Sequence, residues 1–413
     1  MGRATLVRGA RQLLTLRGPP GPRRGPALND LGIIEDGAVL IRDGRIVSVG
    51  PSRRLENLRE ARDAELLDAT GQVVMPGLVD GCIQLGSGAP LSLSVETTPG
   101  SGEPSPAALP PFTSRRRLHL EIQRKIGQLI RHGTTALELK TPLIREENLG
   151  LRLLRVLAAL RGNPLDLVPT LMITWEERAR PDPLLEFYLA RLLPVLRQRR
   201  LVRFVEFCCV GDRPSTDRAQ RCLSQAAESG FGVKLQGPPT AELVSLALTV
   251  QATSMTVLGS MRPEEIHALI SSSVIATLVP AAALAPARGC PPPARDLIAA
   301  GAAISLASGY GVLGSTYSTY STYSMPVVLS LACSHLELKP AEAIAAATIN
   351  AAYSVGLGSL LGSLEPGKQA DLIIFDAPDY REIPYHLGVN LVHAVLKRGK
   401  LIYRRGKILW DTD

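Results

Sequence analysis

Histidine and aromatic residues are scarce in this sequence. Six histidines occur in 413 residues, and aromatic residues make up 4% of the chain. The histidines fall in predicted helices or in the C-terminal segment, at positions 119, 132, 267, 335, 386 and 393. None of them follows a predicted buried strand, so no cluster of imidazole metal ligands is predicted at the strand ends.

Paired cysteines and long apolar runs are also missing. The six cysteines, at positions 82, 208, 209, 222, 290 and 333, form no CxxC pair, which argues against a zinc ribbon or a redox motif. We expect reduced thiols in a cytoplasmic protein, because no secretory segment is recognisable. No apolar run reaches the roughly 18 residues of a membrane span. The arginine-rich start, MGRATLVRGARQLLTL, is interpreted as a strand and not as a transit peptide.

The net charge of +8 is carried largely by arginine. The arginines lie along predicted helices between apolar residues, as in SRRRLHLEIQRKIGQLIRH (114–132), which is typical of a solvated helix face. Aromatic residues that could stack on bases do not interleave with this charge. We therefore expect neither a nucleic-acid partner nor a membrane partner.

Apolar strands alternate with amphipathic helices from residue 73 to residue 308. The predicted strand segments are GLVDGCIQL, TTALELK, LDLVPTLMI, RFVEFCCV, GVKLQG, SMTVLG, VIATLVP and AAISLAS. Helices are predicted over 114–132, 145–161, 183–199, 215–229, 240–251, 263–272 and 293–300. Eight strands separated by helices predict an α/β fold, a TIM-like (β/α)8 barrel. A doubly wound open sheet is the alternative, because periodicity does not show closure.

Both ends of the chain are rich in short strands and tight turns. GAVLIRDGRIVSVG (37–50) contains an Asp-Gly turn, and HAVLKRGKLIYRRGKILW (393–410) contains two Arg-Gly turns. We predict one small β-sandwich domain assembled from both termini. The predicted organisation is 1–72 for the first part of the sandwich, 73–365 for the barrel and 366–413 for the second part of the sandwich.

Two segments at the predicted C-terminal rim of the barrel have low complexity. Residues 86–113 are rich in Gly, Ser and Pro, and residues 315–324 repeat a Ser-Thr-Tyr triplet. The carboxyl ends of the strands are where barrel enzymes carry their active sites. Low complexity in both loops favours weakly specified backbone over a well-defined site.

Several long motifs carry a family resemblance. They are VMPGLVD (74–80), HGTTALELK (132–140), SMPVVLSLACSHLELKPAEAIAAATINAAYSVGLG (324–358) and GSLEPGKQADLIIFDAPDYREIPYHLGVN (362–390). The sequence resembles the amidohydrolase superfamily and, within it, the imidazolonepropionases of histidine degradation. The resemblance covers almost the whole chain. It implies a TIM-like barrel with a small sandwich domain, a homodimer, and a Zn or Fe ion that activates water for hydrolysis.

The resemblance places other residues at the positions of the family's metal ligands. The His-x-His of the first strand corresponds to Cys82 and Gln84, and the His of the fifth strand to Gln236. The Asp of the eighth strand corresponds to Gly309, and the His that ends the third strand to Trp175. Neutral amide oxygens hold a divalent ion weakly without anionic or imidazole partners. We therefore expect no metal cofactor.

The family's proton-handling and substrate-binding residues are also replaced. The acid after the fifth strand corresponds to Pro239, and the His of the sixth strand to Ser260. The arginine expected just after the first strand is absent, and the next arginine is Arg115. Lys140 is kept, although the substrate loop that follows it is not.

Cys82, Lys140 and Trp175 are the candidate pocket residues. Cys82 could act as a nucleophile, share a soft-metal site with Cys208 or Cys209, or be a buried thiol, which we favour because no base is predicted nearby. Lys140 could form a Schiff base, but we expect it to pair with Glu138 on the same strand face. Trp175 could stack on a ligand, but we expect it to fill the emptied pocket.

Two hypotheses about function follow from these residues. The first is a pseudoenzyme that has the imidazolonepropionase fold but lacks the metal and hydrolytic activity, and that binds a small molecule or assembles with a partner. The alternative is a hydrolase with unusual ligands that acts on carbon–nitrogen bonds of cyclic amidines. Replacement of ligands on several separate strands favours the first hypothesis.

Overall fold

The computed structural model describes residues 4–84, 115–141, 163–173, 186–209, 216–284, 291–310 and 322–409. Its strands, in chain order, are β1 (Thr5–Leu14), β2 (Ile33–Arg42), β3 (Arg45–Pro51), β4 (Glu65–Asp68), β5 (Val73–Pro76), β6 (Leu78–Gln84), β7 (Thr134–Lys140), β8 (Asp166–Ile173), β9 (Phe204–Cys208), β10 (Gly232–Gly237), β11 (Ser254–Val257), β12 (Ile275–Leu278), β13 (Ile304–Leu306), β14 (Leu372–Phe375), β15 (Val392–Lys397), β16 (Lys400–Arg404) and β17 (Lys407–Ile408).

The α-helices are α1 (Ser52–Glu56), α2 (Arg115–Arg131), α3 (Leu193–Arg199), α4 (Thr216–Glu228), α5 (Ala241–Thr249), α6 (Pro263–Ile270), α7 (Ala294–Ala299), α8 (Met325–His335), α9 (Pro340–Ala347), α10 (Ile349–Ser354) and α11 (Glu382–Tyr385). A π-helical turn, Tyr188–Leu192, leads directly into α3, and 3₁₀ turns lie at Gly25–Asn29, Arg59–Ala61 and Pro280–Leu284. Six of the seven predicted barrel helices are present. The helix predicted over 145–161 lies outside the described residues.

Strands β6 to β13 form one parallel sheet in sequential order. The sheet closes through a parallel bridge between Ile83 and Tyr310, where the Gln84 amide donates to the Tyr310 carbonyl at 2.9 Å. All eight predicted strand segments are therefore barrel strands. The closure confirms the (β/α)8 barrel and excludes the open sheet. Apolar side chains on the outward faces of these strands pack against the surrounding helices in the largest hydrophobic core of the protein.

The remaining nine strands form a mixed sheet from both ends of the chain, as the turn-rich termini predict. Along this sheet the order is β17-β16-β15-β14-β5-β1-β2-β3, with β4 paired to β1. Hydrogen bonding is continuous from one edge to the other. A separate apolar core lies between its two halves, with contributions from Leu13, Ile41, Leu372 and Leu396.

The predicted barrel range begins at residue 73, but the apolar run from Val73 to Val79 is divided between two strands, and only the second belongs to the barrel. β5 lies in the mixed sheet between β1 and β14, whereas β6 begins the barrel. Gly77 joins them, and a Cβ atom at this position would lie 2.0 Å from Thr135 Oγ1. The chain therefore crosses from one sheet to the other at a residue that only glycine can occupy without displacing the neighbouring strand.

A polar cluster connects the barrel to the mixed sheet. The buried Lys397 ammonium lies 2.5 Å from Asp371 and 2.6 Å from Asp166, which begins β8. Arg398 also contacts Asp166, and the Gln369 amide donates to both carboxylates. Because Lys397 and Asp371 are each only 3% exposed, neither charge is well solvated without the other.

No helix among the described residues is long and apolar enough to cross a membrane.

We predict that Lys397→Met destabilises the protein by about 3–5 kcal/mol, because two carboxylates lose their buried counter-charge. Urea unfolding followed by circular dichroism measures this loss. Lys407→Met is the matched control, since Lys407 is exposed on β17, and it should change stability by no more than about 0.5 kcal/mol. Equal stability of the two variants would show that the cluster does not hold the two sheets together.

Candidate active site in the barrel interior

Polar side chains line the inside of the barrel. Successive residues of a strand point to opposite faces, so the residues between the outward apolar positions face the barrel axis. The inward set carries both charged groups and hydroxyl groups. The buried charged members are Asp80, Glu138, Lys140, Glu206 and Lys234, and the buried hydroxyl members include Thr170, Thr256, Thr277 and Ser305.

Lys140, at the end of β7, is fully buried and bonded to two other strands. Its ammonium lies 2.7 Å from Glu206 Oε1 on β9 and 3.1 Å from Gln236 Oε1 on β10. The expectation that Lys140 pairs with Glu138 is wrong. Glu138 instead pairs with Lys234 at 2.8 Å and accepts a hydrogen bond from Thr170. Side chains on one strand face point the same way, whereas those on strands that are not adjacent in the sheet can meet across the barrel interior.

The surroundings keep Lys140 charged. Burial by itself lowers the pKa of this ammonium. The negative charges of Cys82, Glu206 and Glu138 together raise it by more than burial lowers it, so the pKa lies above the ordinary value. The Cys82 contribution requires a thiolate. At neutral pH the stabilising charges are therefore the two carboxylates. A Schiff-base lysine needs a lowered pKa, so this environment does not activate Lys140 as a nucleophile.

Gln236, near the carboxyl end of β10, contacts polar side chains from three other barrel strands. Its carbonyl oxygen accepts from Lys140 and is 3.9 Å from Cys82 Sγ, and its amide nitrogen lies 3.6 Å from Cys208 Sγ. Burial raises the pKa of Cys82 to about 12 and that of Cys208 to about 12. Both are therefore thiols at neutral pH, without the thiolate character that a nucleophile or a soft-metal ligand needs.

Asp80 and Glu206 each bury one carboxylate oxygen without a hydrogen-bond partner in the described part of the chain. The other oxygen of Asp80 accepts from the backbone amides of Ser308 at 3.0 Å and Cys82 at 3.2 Å. Burial raises the pKa of Asp80 to about 6, and these hydrogen bonds only partly oppose the shift. In the folded protein, the buried Asp80 carboxyl is therefore mostly protonated below about pH 6.

The other predicted site residues are not brought into this cluster. Gln84 is partly buried, and its amide donates to the Thr141 carbonyl at 3.4 Å. Gly309 is buried with a φ of 67°, Pro239 is buried, and Ser260 is exposed. Trp175, the rim segment 86–113 and residues 315–321 of the triplet repeat lie outside the described residues.

Sequence reasoning did not single out Asp80, Glu206 and Lys234 as members of the interior cluster. A signal for the last two was present, since each is a charged residue inside an otherwise apolar strand segment, RFVEFCCV and GVKLQG. A charge at an inward position of a barrel strand is buried and therefore needs a partner on another strand.

Comparison with known proteins places the chain in a family. A model described as the amidohydrolase family matches residues 235–402. The sequence is 34% identical over 429 residues to an imidazolonepropionase from Geobacillus kaustophilus, covering 98% of this chain and 99% of that protein. It is 33% identical over 428 residues to one from Symbiobacterium thermophilum, covering 98% of each. The chain belongs to the imidazolonepropionase family.

A solved structure supports the same fold. An adenosine deaminase from Xanthomonas campestris with bound zinc superposes with a TM-score of 0.70, covering 99% of this chain and 95% of that chain. At 18% sequence identity this likeness concerns the fold alone.

The residues at the metal positions do not fit a Zn or Fe ion. Gln236 is a neutral amide whose oxygen is already bonded to an ammonium, Gln84 is also a neutral amide, and Gly309 has no side chain. Over the described ranges, no group of three or more His, Cys, Asp and Glu side chains is arranged to hold a metal ion. The donor set therefore lacks the anionic and imidazole ligands that such an ion requires.

We predict strong energetic coupling between Lys140 and Glu206. Lys140→Met should cost about 3–5 kcal/mol because it leaves a buried carboxylate without its counter-charge. The double variant Lys140→Met/Glu206→Gln should be more stable than the sum of the single losses implies, by about 1–3 kcal/mol. Denaturant unfolding of the wild type, Lys140→Met, Glu206→Gln and the double variant measures this coupling energy. Additive losses of stability would contradict a direct ion pair.

We predict a pH-dependent effect of Asp80→Asn. The folded-state pKa of Asp80, about 6, lies above the ordinary value of 3.8. The folded wild type therefore binds more protons than the unfolded chain in this window, and its free energy of unfolding falls as the pH rises. Asparagine has no such cost, so the variant should gain up to about 3 kcal/mol relative to wild type between pH 4 and pH 7. A constant difference would contradict the buried-acid assignment.

Proposed function

We propose that this member of the imidazolonepropionase family is a pseudoenzyme, which keeps the barrel but binds no catalytic metal and hydrolyses no imidazolone ring. The observation that supports it is the state of Gln236. Its carbonyl oxygen, at a position that the family resemblance assigns to a metal ligand, accepts a hydrogen bond from Lys140 at 3.1 Å and lies 3.9 Å from the Cys82 sulfur.

The electrostatics at this position disfavour a divalent cation. Gln84, Gln236 and Gly309 supply no negative charge, and the Lys140 ammonium lies 3.1 Å from the Gln236 oxygen. A bound ion would have to displace that ammonium from Gln236 or remain next to it, and like charges a few ångströms apart in a buried site repel strongly. Glu206 is already paired with Lys140, and Asp80 accepts from the backbone amides of Cys82 and Ser308.

Proton transfer and substrate binding are weakened in the same way. Pro239 has no side-chain proton to give or take, and Ser260 is an exposed hydroxyl. No arginine follows the first barrel strand before Arg115, so the usual partner for a substrate carboxylate is missing. The protein would then act as a cytoplasmic, homodimeric binding or assembly partner, with a small-molecule ligand as one candidate for the pocket.

The alternative is a hydrolase that acts on a carbon–nitrogen bond with unusual ligands. Identities of 33–34% along the whole chain to proteins named imidazolonepropionase favour it. The two candidates differ in one measurable respect, since the hydrolase needs a metal ion or another way to activate water.

We predict less than one metal ion per chain after incubation with Zn or Fe and gel filtration, and no turnover of imidazolone propionate above background. The melting temperature should not change with chelator, because a metal that binds only the folded state adds stability and none is expected here. An active imidazolonepropionase measured in parallel is the positive control. Metal at one ion per chain that is lost in Cys82→Ser would overturn the proposal, as would turnover of imidazolone propionate above background.

A further inference from the structure

Two clefts meet on the side of the protein where the amino ends of the barrel strands face the mixed sheet. The first has a volume of about 740 Å³ and lies between the starts of β8, β9 and β10 and the segment after α10. The second, of about 860 Å³, lies along the edge formed by the β2–β3 and β15–β16 turns. Gln369 and Arg398 line both clefts, so the two volumes are adjacent.

The first cleft is lined by an excess of positive charge. Arg197, Arg200, Arg203 and Arg398 line it, and Asp166 is the carboxylate among its lining residues. That carboxylate is bonded by Lys397 and Arg398, and Lys397 also pairs with the buried Asp371. These two cations and two carboxylates balance, so Arg197, Arg200 and Arg203 supply the positive excess in the cleft.

The second cleft repeats this arrangement with cations from distant parts of the chain. Arg42 and Arg45 flank the turn between β2 and β3, and Lys400 and Arg404 belong to β16. Asp43 and Glu65 are the acidic residues of its lining.

Among the described residues, the two linings hold eight cationic side chains and three carboxylates, an excess of five. The arginines that the sequence spreads over separate segments therefore converge in the fold. A concentrated positive potential in a concave site attracts anionic ligands.

We propose that the paired clefts bind a nucleoside polyphosphate. Guanidinium groups bond phosphate oxygens in bidentate fashion, and each cleft has the volume of a small-molecule site. The first cleft also has an apolar part for a base, formed by Phe231, Leu357 and the 44%-exposed Leu360. The phosphates lie toward Arg398, which both clefts share.

A small molecule fits this lining better than a nucleic-acid strand. Binding along a strand uses a series of aromatic side chains on which successive bases stack. Among the described residues that line the two clefts, Phe231 is the one aromatic side chain. The clefts lie at the opposite ends of the barrel strands from the Gln236 cluster, so the proposal does not depend on whether the barrel is active.

Isothermal titration of the full chain with ATP, without magnesium and at low salt, tests the proposal. We expect micromolar affinity, with inorganic triphosphate binding more weakly because it lacks a base. Arg197→Gln and Arg404→Gln, one exposed arginine from each cleft, should each weaken ATP binding about tenfold, and the double variant about a hundredfold. Arg221→Gln is the control, since it removes the same charge from an exposed position on α4 that lines neither cleft.

The outcomes separate the proposal from its rivals. Millimolar binding of ATP equal to that of sulfate would overturn it, because it would show only general attraction of anions. Equal ATP affinity of the double variant and the control would also overturn it. Displacement of ATP by a single-stranded oligonucleotide that binds more tightly would assign the face to nucleic acid instead. Unchanged unfolding midpoints of the variants ensure that a loss of binding is not a loss of fold.

Discussion

The paired charges inside the barrel are the constraint on which the rest of the structure depends. Lys140 on β7 reaches Glu206 on β9, and Lys234 on β10 reaches Glu138 on β7. A one-residue shift in the register of any of these strands would move its charged side chain to the outer face of the barrel. That face packs against apolar side chains of the helices, which offer no partner for a charge. The ion pairs thus define the register of β7 relative to β9 and β10, which are not its neighbours in the sheet, even though buried pairs often add little net stability.

Gln236 satisfies the polar groups around it in the barrel interior without carrying a charge of its own. A neutral amide both donates and accepts, so it bonds the Lys140 ammonium with its oxygen and lies within reach of Cys208 through its nitrogen. An imidazole ligand left without a metal would have to find new partners in the same space. A neutral amide at this position has no such cost, because the partners described above satisfy both of its polar atoms.

The sequence was informative wherever one segment determines the outcome. Strand and helix positions follow from local periodicity, and the family was recognisable from long motifs. The division at Gly77 was missed because the apolar pattern continues across it, and only contact with Thr135 requires the glycine. The partner of Lys140 was wrongly assigned because side-chain contacts across a barrel depend on strands far apart in sequence. The convergence of Arg197 and Arg404 had no local signal for the same reason.

The position of β5 has a consequence for synthesis of the chain. This strand takes its hydrogen bonds from β1 on one side and from β14 on the other, and β14 lies about 300 residues further along. Synthesis at roughly 5–20 residues per second means that β14 emerges on the order of 15–60 s after β5. During this time the edge of β5 that pairs with β14 has no partner. The nascent N-terminal strands therefore present an unpaired edge while the whole barrel is made. Such an edge can pair with other chains, so chaperone demand should be highest before residue 372 is translated.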